Sequence, residues 1–124
     1  MNVSSANLII NSGDPQRLRT FYRDVVGLPV FEAREEALQV AGMTLDFDGH
    51  REVSGGTKEP ARILLNLFID DIAAEEARIT SHGVEFVRSK GREYWGGVIS
   101  TFVDPDGNFV QLVQFDPTAA APGA

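Results

Sequence analysis

Residues 91–115, GREYWGGVISTFVDPDGNFVQLVQF, set the reading of the whole chain. An aromatic loop, Tyr94-Trp95, runs through Gly96-Gly97 into a β-rich run at 98–103, and a second β-rich run follows at 109–115. Between them stands Asp104-Pro105-Asp106-Gly107-Asn108. Pro presets φ, Asp bonds its own backbone and Gly supplies a positive φ, so these five residues reverse the chain. Two hydrophobic runs joined by such a turn predict a β-hairpin. Alternation along the second run puts Phe109, Gln111, Val113 and Phe115 on one face and Val110, Leu112 and Gln114 on the other. Gln111 is thus an amide flanked by apolar neighbours, either a satisfied buried group or part of a binding surface.

Just upstream, residues 84–88 read as a strand. Before them Asp70-Asp71 caps a helix whose apolar side carries Ile72 and Ile79, with Ala77 nearby. Gly83 ends that helix as a C′ residue, and His82 sits at the negative end of its dipole. Residues 62–69 form the most hydrophobic strand candidate, and their lack of clean alternation predicts a central place in a sheet. Residues 50–60, HREVSGGTKEP, are Gly-rich, charged and aperiodic, which predicts a mobile connection.

The first half of the chain has the same grammar. Residues 6–11 are β-like and stop at Ser12-Gly13. Asp14 reads as an N-cap with Pro15 at the first helical position, where a missing N–H costs nothing. Leu18, Phe21, Tyr22, Val25 and Val26 form one apolar helical stripe, Arg17, Arg19 and Arg23 ride the wet side, and Gly27 closes the helix. Three short β-like runs follow near 30–34, 37–40 and 43–48, the last two spaced as a hairpin. Asp14 to Gly27 and Asp70 to Gly83 each span 13 positions (27 − 14 and 83 − 70). Each half also ends in an apolar, polar, apolar triplet, Leu45-Asp46-Phe47 and Val110-Gln111-Leu112. This is an internal repeat of one β-α-β-β-β unit, and neither unit buries its sheet face alone. The boundaries are about 5–48 for the first module, 49–60 for the linker and 61–115 for the second; the Pro-bearing tail 116–124 is expected to fray.

At 124 residues and 43% hydrophobic content, the chain suits one domain with its own core. No run approaches the roughly 18 apolar residues of a spanning helix, and no basic leader precedes a long apolar stretch, so a cytoplasmic protein is expected. The absence of Cys removes disulfides, thiolate metal sites and cysteine nucleophiles. A net charge of −7 argues against nucleic acid or an anionic membrane as partner, while leaving room for a cationic ligand. No nucleophile with a neighbouring base, Walker-type loop or dinucleotide fingerprint is found, so no catalytic residue and no cofactor is assigned.

Taken together, several motifs resemble the glyoxalase, bleomycin-resistance and dioxygenase superfamily, the vicinal oxygen chelate fold. They are Gly13-Asp14 with Leu18, Phe21-Tyr22 and Val26-Gly27-Leu28, then Asp70-Asp71 with Gly83-Val84. Trp95-Gly96-Gly97 followed by Asp104-Pro105-Asp106-Gly107-Asn108 and Leu112 completes the set. The resemblance covers about residues 6–115. It implies an α+β fold of two βαβββ modules whose curved mixed sheets surround a cleft, and a homodimer with ligand sites shared between subunits.

Metal-dependent relatives hold their ion from four positions that map by this resemblance onto Asn7, Asp46, Leu64 and Gln111. One carboxylate, two amides and an aliphatic group do not suit iron or zinc. His50 and His82 fall in loops, so no metal is assigned. Asn7 and Gln111 are read either as hydrogen-bonding groups facing a ligand or as groups satisfied by each other or the backbone. Asp46 is read either in the cleft, offering charge to a cation, or on its rim. Trp95, with Tyr94, is read either as stacking on a planar ligand or as clamping the loop to the sheet. Phe31, Phe47, Phe68 and Phe102 are read as core. The resulting expectation is a metal-free protein that binds a small organic molecule, of the bleomycin-resistance type, through Asn7, Asp46, Leu64, Trp95 and Gln111. The alternative is a glyoxalase-type, metal-dependent lyase or isomerase using Asp46.

Overall fold

The computed structural model describes residues 1–115, so the expected fraying of 116–124 lies outside the described residues. The chain divides into two compact units, Met1–Gly56 and a second beginning at Thr57.

In the first unit, β1 (Asn7–Asn11) leads through Ser12 to the helix α1 (Pro15–Thr20). Asp14 caps it as expected, its carboxylate accepting from the Arg17 N–H at 3.1 Å. The helix then widens into a π-helical segment, Phe21–Val26, in which the N–H groups of both Gly27 and Leu28 donate to the Tyr22 carbonyl. Gly27 ends it at φ 90°, a left-handed conformation that suits glycine. Leu18, Tyr22 and Val26 are buried, so the predicted stripe survives the widening. It packs on β3 (Met43–Asp48), with the Tyr22 and Phe47 rings 5.4 Å apart. β3 lies between β1, which is parallel to it, and β2 (Leu38–Val40), which is antiparallel.

The β-like run expected at 30–34 is not a strand. A single bridge joins Val30 to Leu38, and the rest is a series of turns: Phe31 N–H to Ala37 O, Arg34 N–H to Phe31 O and Ala37 N–H to Arg34 O. Only Val30 and Phe31 favour a strand there, while Glu32, Arg34, Glu35 and Glu36 are exposed charges with no second face to bury.

The second unit is a complete β-α-β-β-β module: β4 (Leu65–Phe68), α2 (Ile72–Thr80), β5 (Phe86–Arg92), β6 (Gly97–Val103) and β7 (Phe109–Phe115). The strand order is β4-β7-β6-β5. β6 and β7 form the predicted hairpin, paired without a break from Val103 and Phe109 back to Gly97 and Phe115. Asp104 organises its turn. One carboxylate oxygen accepts from the N–H groups of Asp106 and Asn108 and the other from the Asn108 side chain, each at 2.9 Å, and Gly107 takes φ 90°. α2 starts on the Asp71 carboxylate, which accepts from Ala74 N–H at 3.0 Å. The Gln114 side chain accepts from Ile72 N–H at 2.8 Å, tying the helix to the sheet. Ile72 and Ile79 are buried against the face that carries Phe102, Val110 and Leu112.

Two expectations are corrected here. β4 is an edge strand, not a central one, because the β6-β7 hairpin occupies the middle of the sheet. Its apolar run, interrupted at Asn66, therefore reflects no burial on two faces; Ile63 and Phe68 are 66% and 70% exposed, so Phe68 is not core. The connection at 50–60 is also not uniformly loose. At its end the Thr57 N–H donates to Asp106 O at 2.7 Å and the Thr57 hydroxyl to the Asn108 side chain at 2.5 Å, fastening it to the hairpin turn.

Candidate ligand sites in the two modules

In the first module the strand register sets one polar sheet face. Asn7 lies beside Thr44, Thr44 beside Gln39, and Ile9 beside Asp46, while Leu45 and Leu38 turn to the buried side. Asp46 uses both carboxylate oxygens. One accepts from a terminal nitrogen of Arg34; the other accepts from the Asn7 amide at 3.0 Å and the Thr44 hydroxyl at 3.1 Å. The Arg34 contact is the main cause that holds the Asp46 carboxyl down at about 2, helped by Asn7 and Thr44 against the opposing effect of burial. Beside this cluster is a recess of about 380 Å³ lined by Asn7, Phe31, Arg34, Gln39, Met43 and Thr44, among others. Asp46 is thus an anchored carboxylate with a charged partner in Arg34.

Nothing in the sequence marks Arg34 as a site residue, since its place depends on the 31–37 turns. Those turns are pinned from outside as well: Arg19, expected only to face solvent, donates through its guanidinium to the carbonyls of Glu35 and Glu36.

In the second module a polar row crosses all four strands on the face away from α2. Asn66 pairs in register with Gln111, Gln111 with Thr101, and Thr101 with Arg88. The Gln111 amide donates to the Thr101 hydroxyl at 3.1 Å, so this half-buried amide is satisfied within its own sheet. Asn7 and Gln111 each have partners inside their own modules. Leu64 precedes β4 and is 41% exposed. Trp95 stacks on Phe115, and a methyl group built on Gly97 would overlap its indole ring. Trp95 therefore clamps its loop onto the sheet while remaining 40% exposed as a residue. Tyr94 is 73% exposed.

On the helix side of that sheet, Glu76 of α2 accepts from the hydroxyls of Ser100 and Ser89, both at 2.5 Å, and lies 3.4 Å from the Lys90 ammonium. Burial opposes its charge, but the two hydroxyls and Lys90 outweigh it and hold the carboxyl below its ordinary range. The network holds β5 where its pairing with β6 is bulged between Phe86 and Gly91 and Lys90 takes φ 44°.

The four positions implied for a metal do not fit one. Asp46 is the one carboxylate, its oxygens are engaged, and Leu64 offers no donor atom. Among the described residues no three His, Cys, Asp or Glu side chains gather at a point. His50 accepts from the Glu52 N–H in a turn, and His82 lies in the turn after α2.

No curated protein matches the sequence. Solved structures do share its fold. TnmS3, an antibiotic binding protein from Streptomyces sp. CB03234, superimposes with a TM-score of 0.71 at 24% identity, covering 94% of this chain and 99% of that one. A glyoxalase/bleomycin resistance protein/dioxygenase from Nocardioides gives 0.70 at 16% identity over 100% and 90% of the two chains. A glyoxalase family protein from Bacillus anthracis gives 0.69 at 13% identity over 94% and 96%. These likenesses establish the fold, two mixed sheets each backed by a helix. A sequence match over residues 5–112 adds the family: the chain belongs to the Glyoxalase/Bleomycin resistance protein/Dioxygenase superfamily.

Proposed function

We propose that this protein is a metal-free small-molecule binder of the bleomycin-resistance type, cytoplasmic and homodimeric, holding a drug or metabolite without transforming it. The observation that carries the reading is the state of Asp46. The carboxylate at an expected metal position is already bonded by Arg34, Asn7 and Thr44, beside a recess of a size that suits a small organic molecule. Trp95, stacked on Phe115 and partly exposed, is a second contact surface, with Gln111 and Leu64 on the same module. The antibiotic-binding activity of TnmS3, a protein of the same fold, is consistent with this use. The acidic balance of the chain disfavours nucleic acid as a partner.

Calorimetric titration of the purified protein with a panel of aromatic antibiotics, read in parallel by Trp95 fluorescence, tests the reading. Saturable one-site binding of a panel member with no turnover is the expected result. Stoichiometric Ni, Zn, Mn or Fe that survives dialysis and is lost with Asp46→Ala would overturn it in favour of a lyase or isomerase. Turnover of a thiol adduct without binding of any antibiotic would do the same.

A further inference from the structure

We propose that the recess of the first module takes the carboxylate of a small aromatic acid, gripped side-on by Arg34. The inference deepens the binding reading above and rests on it. Three observations carry it. Among the described residues Arg34 is the one charged residue lining the recess, with no Asp or Glu beside it there, in a chain of net charge −7. The backbone that carries Arg34 is fixed by the 31–37 turns and by Arg19 bonded to Glu35 and Glu36, and its guanidinium is anchored at one end by Asp46, which lowers the ordering cost of binding. And only one of its nitrogens is spoken for.

That last point sets the chemistry. A guanidinium has five N–H donors arranged along two usable edges. Asp46 takes one terminal nitrogen. Among the described residues the Nε and the other terminal nitrogen have no hydrogen-bond partner, and together they form the side-on edge that accepts a carboxylate through two parallel bonds. Asp46 and nearby Glu36 keep the guanidinium firmly protonated. Asp46 also removes the net charge that would draw in any anion indiscriminately, leaving geometry to select a planar carboxylate. Phe31 and Met43 offer apolar and aromatic surface for the body of such a ligand. The Asn7 and Gln39 amides have already given a donor each, to Asp46 and to the Ala41 carbonyl.

The test compares benzoate, benzamide and benzylamine, three probes of one shape and different charge, by NMR titration following the Arg34 Nε–H and Thr44 amide signals. Benzoate should shift both signals saturably and bind roughly tenfold more tightly than benzamide, with benzylamine weakest. Arg34→Gln should abolish the preference for benzoate, and Arg34→Lys, which keeps the charge but not the fork, should retain part of it. Asp46→Asn should strengthen benzoate binding several-fold by uncovering the Arg34 charge, whereas a purely structural pair would weaken it. Equal or tighter binding of benzamide or benzylamine, a benzoate preference that persists in Arg34→Gln, or no benzoate binding at all would overturn the proposal. An antibiotic that still quenches Trp95 while benzoate leaves Arg34 untouched would refute this inference and leave the binding reading standing.

Discussion

Trp95 lies flat against Phe115, with ring centres 6.3 Å apart and planes within 10° of parallel, and the space it fills is one that only a glycine at position 97 leaves open. The indole is therefore fixed by the absence of a side chain as much as by the presence of one. Gly97→Ala should push the ring off Phe115 and cost about 1–3 kcal/mol. The check is Trp95 emission, which should move to longer wavelength, together with urea unfolding. Gly42→Ala, where a methyl group meets nothing, should leave the emission unchanged.

Asp104 is buried and receives three hydrogen bonds within one turn. Asp104→Ala should destabilise the protein by about 2–3 kcal/mol, since two backbone N–H groups and an amide lose a charged acceptor together. Equilibrium unfolding in urea measures it, and a loss below about 0.5 kcal/mol would show that water replaces the carboxylate.

The pH dependence comes from Asp46. Its carboxyl sits at about 2 against an ordinary 3.8, so the folded state holds the proton less tightly than the unfolded chain does. The stabilisation is complete above about pH 4 and is lost as pH falls toward 2, by on the order of 1 kcal/mol because the half-exposed Arg34 is screened by water. Glu76, also depressed, acts in the same direction. Stability should thus fall on acidification through this window, and Arg34→Gln should return the Asp46 titration toward the ordinary carboxylate range, as followed by carboxyl carbon shifts.

Removing Glu76 should loosen β5 locally. In Glu76→Ala the Ser89 and Ser100 hydroxyls lose their acceptor, and amide exchange at 89–91 should quicken well before the β6-β7 ladder is affected. Uniform acceleration over the whole second module would instead mark Glu76 as a group on which the entire sheet depends.

Local chemistry is the part of this structure that is legible in the sequence. The Asp104–Asn108 reversal, the Asp14 and Asp71 caps, the left-handed Gly27 and Gly83 and the hairpin register all arise from residues within a few positions of one another. The hidden part depends on distant pairing. Strand order is not written in the 62–69 run, whose apolar character fits an edge as well as a centre. Asp46 and Asn7 are legible as polar groups on strands, but Arg34 is not, because its reach to Asp46 requires a run of turns where Val30 and Phe31 promise a strand. Likewise Trp95 is legible as an amphipathic aromatic in a loop, but not its fit over Gly97.

The segment Phe21–Val26 carries one further implication. A coil that takes in more chain per turn while keeping Leu18, Tyr22 and Val26 turned inward can gain or shed a residue and still deliver the downstream strands to the same place. Chains of different length through this region are therefore best aligned on two fixed marks, Leu18 before the wide turn and Gly27 after it, with any gap placed between them.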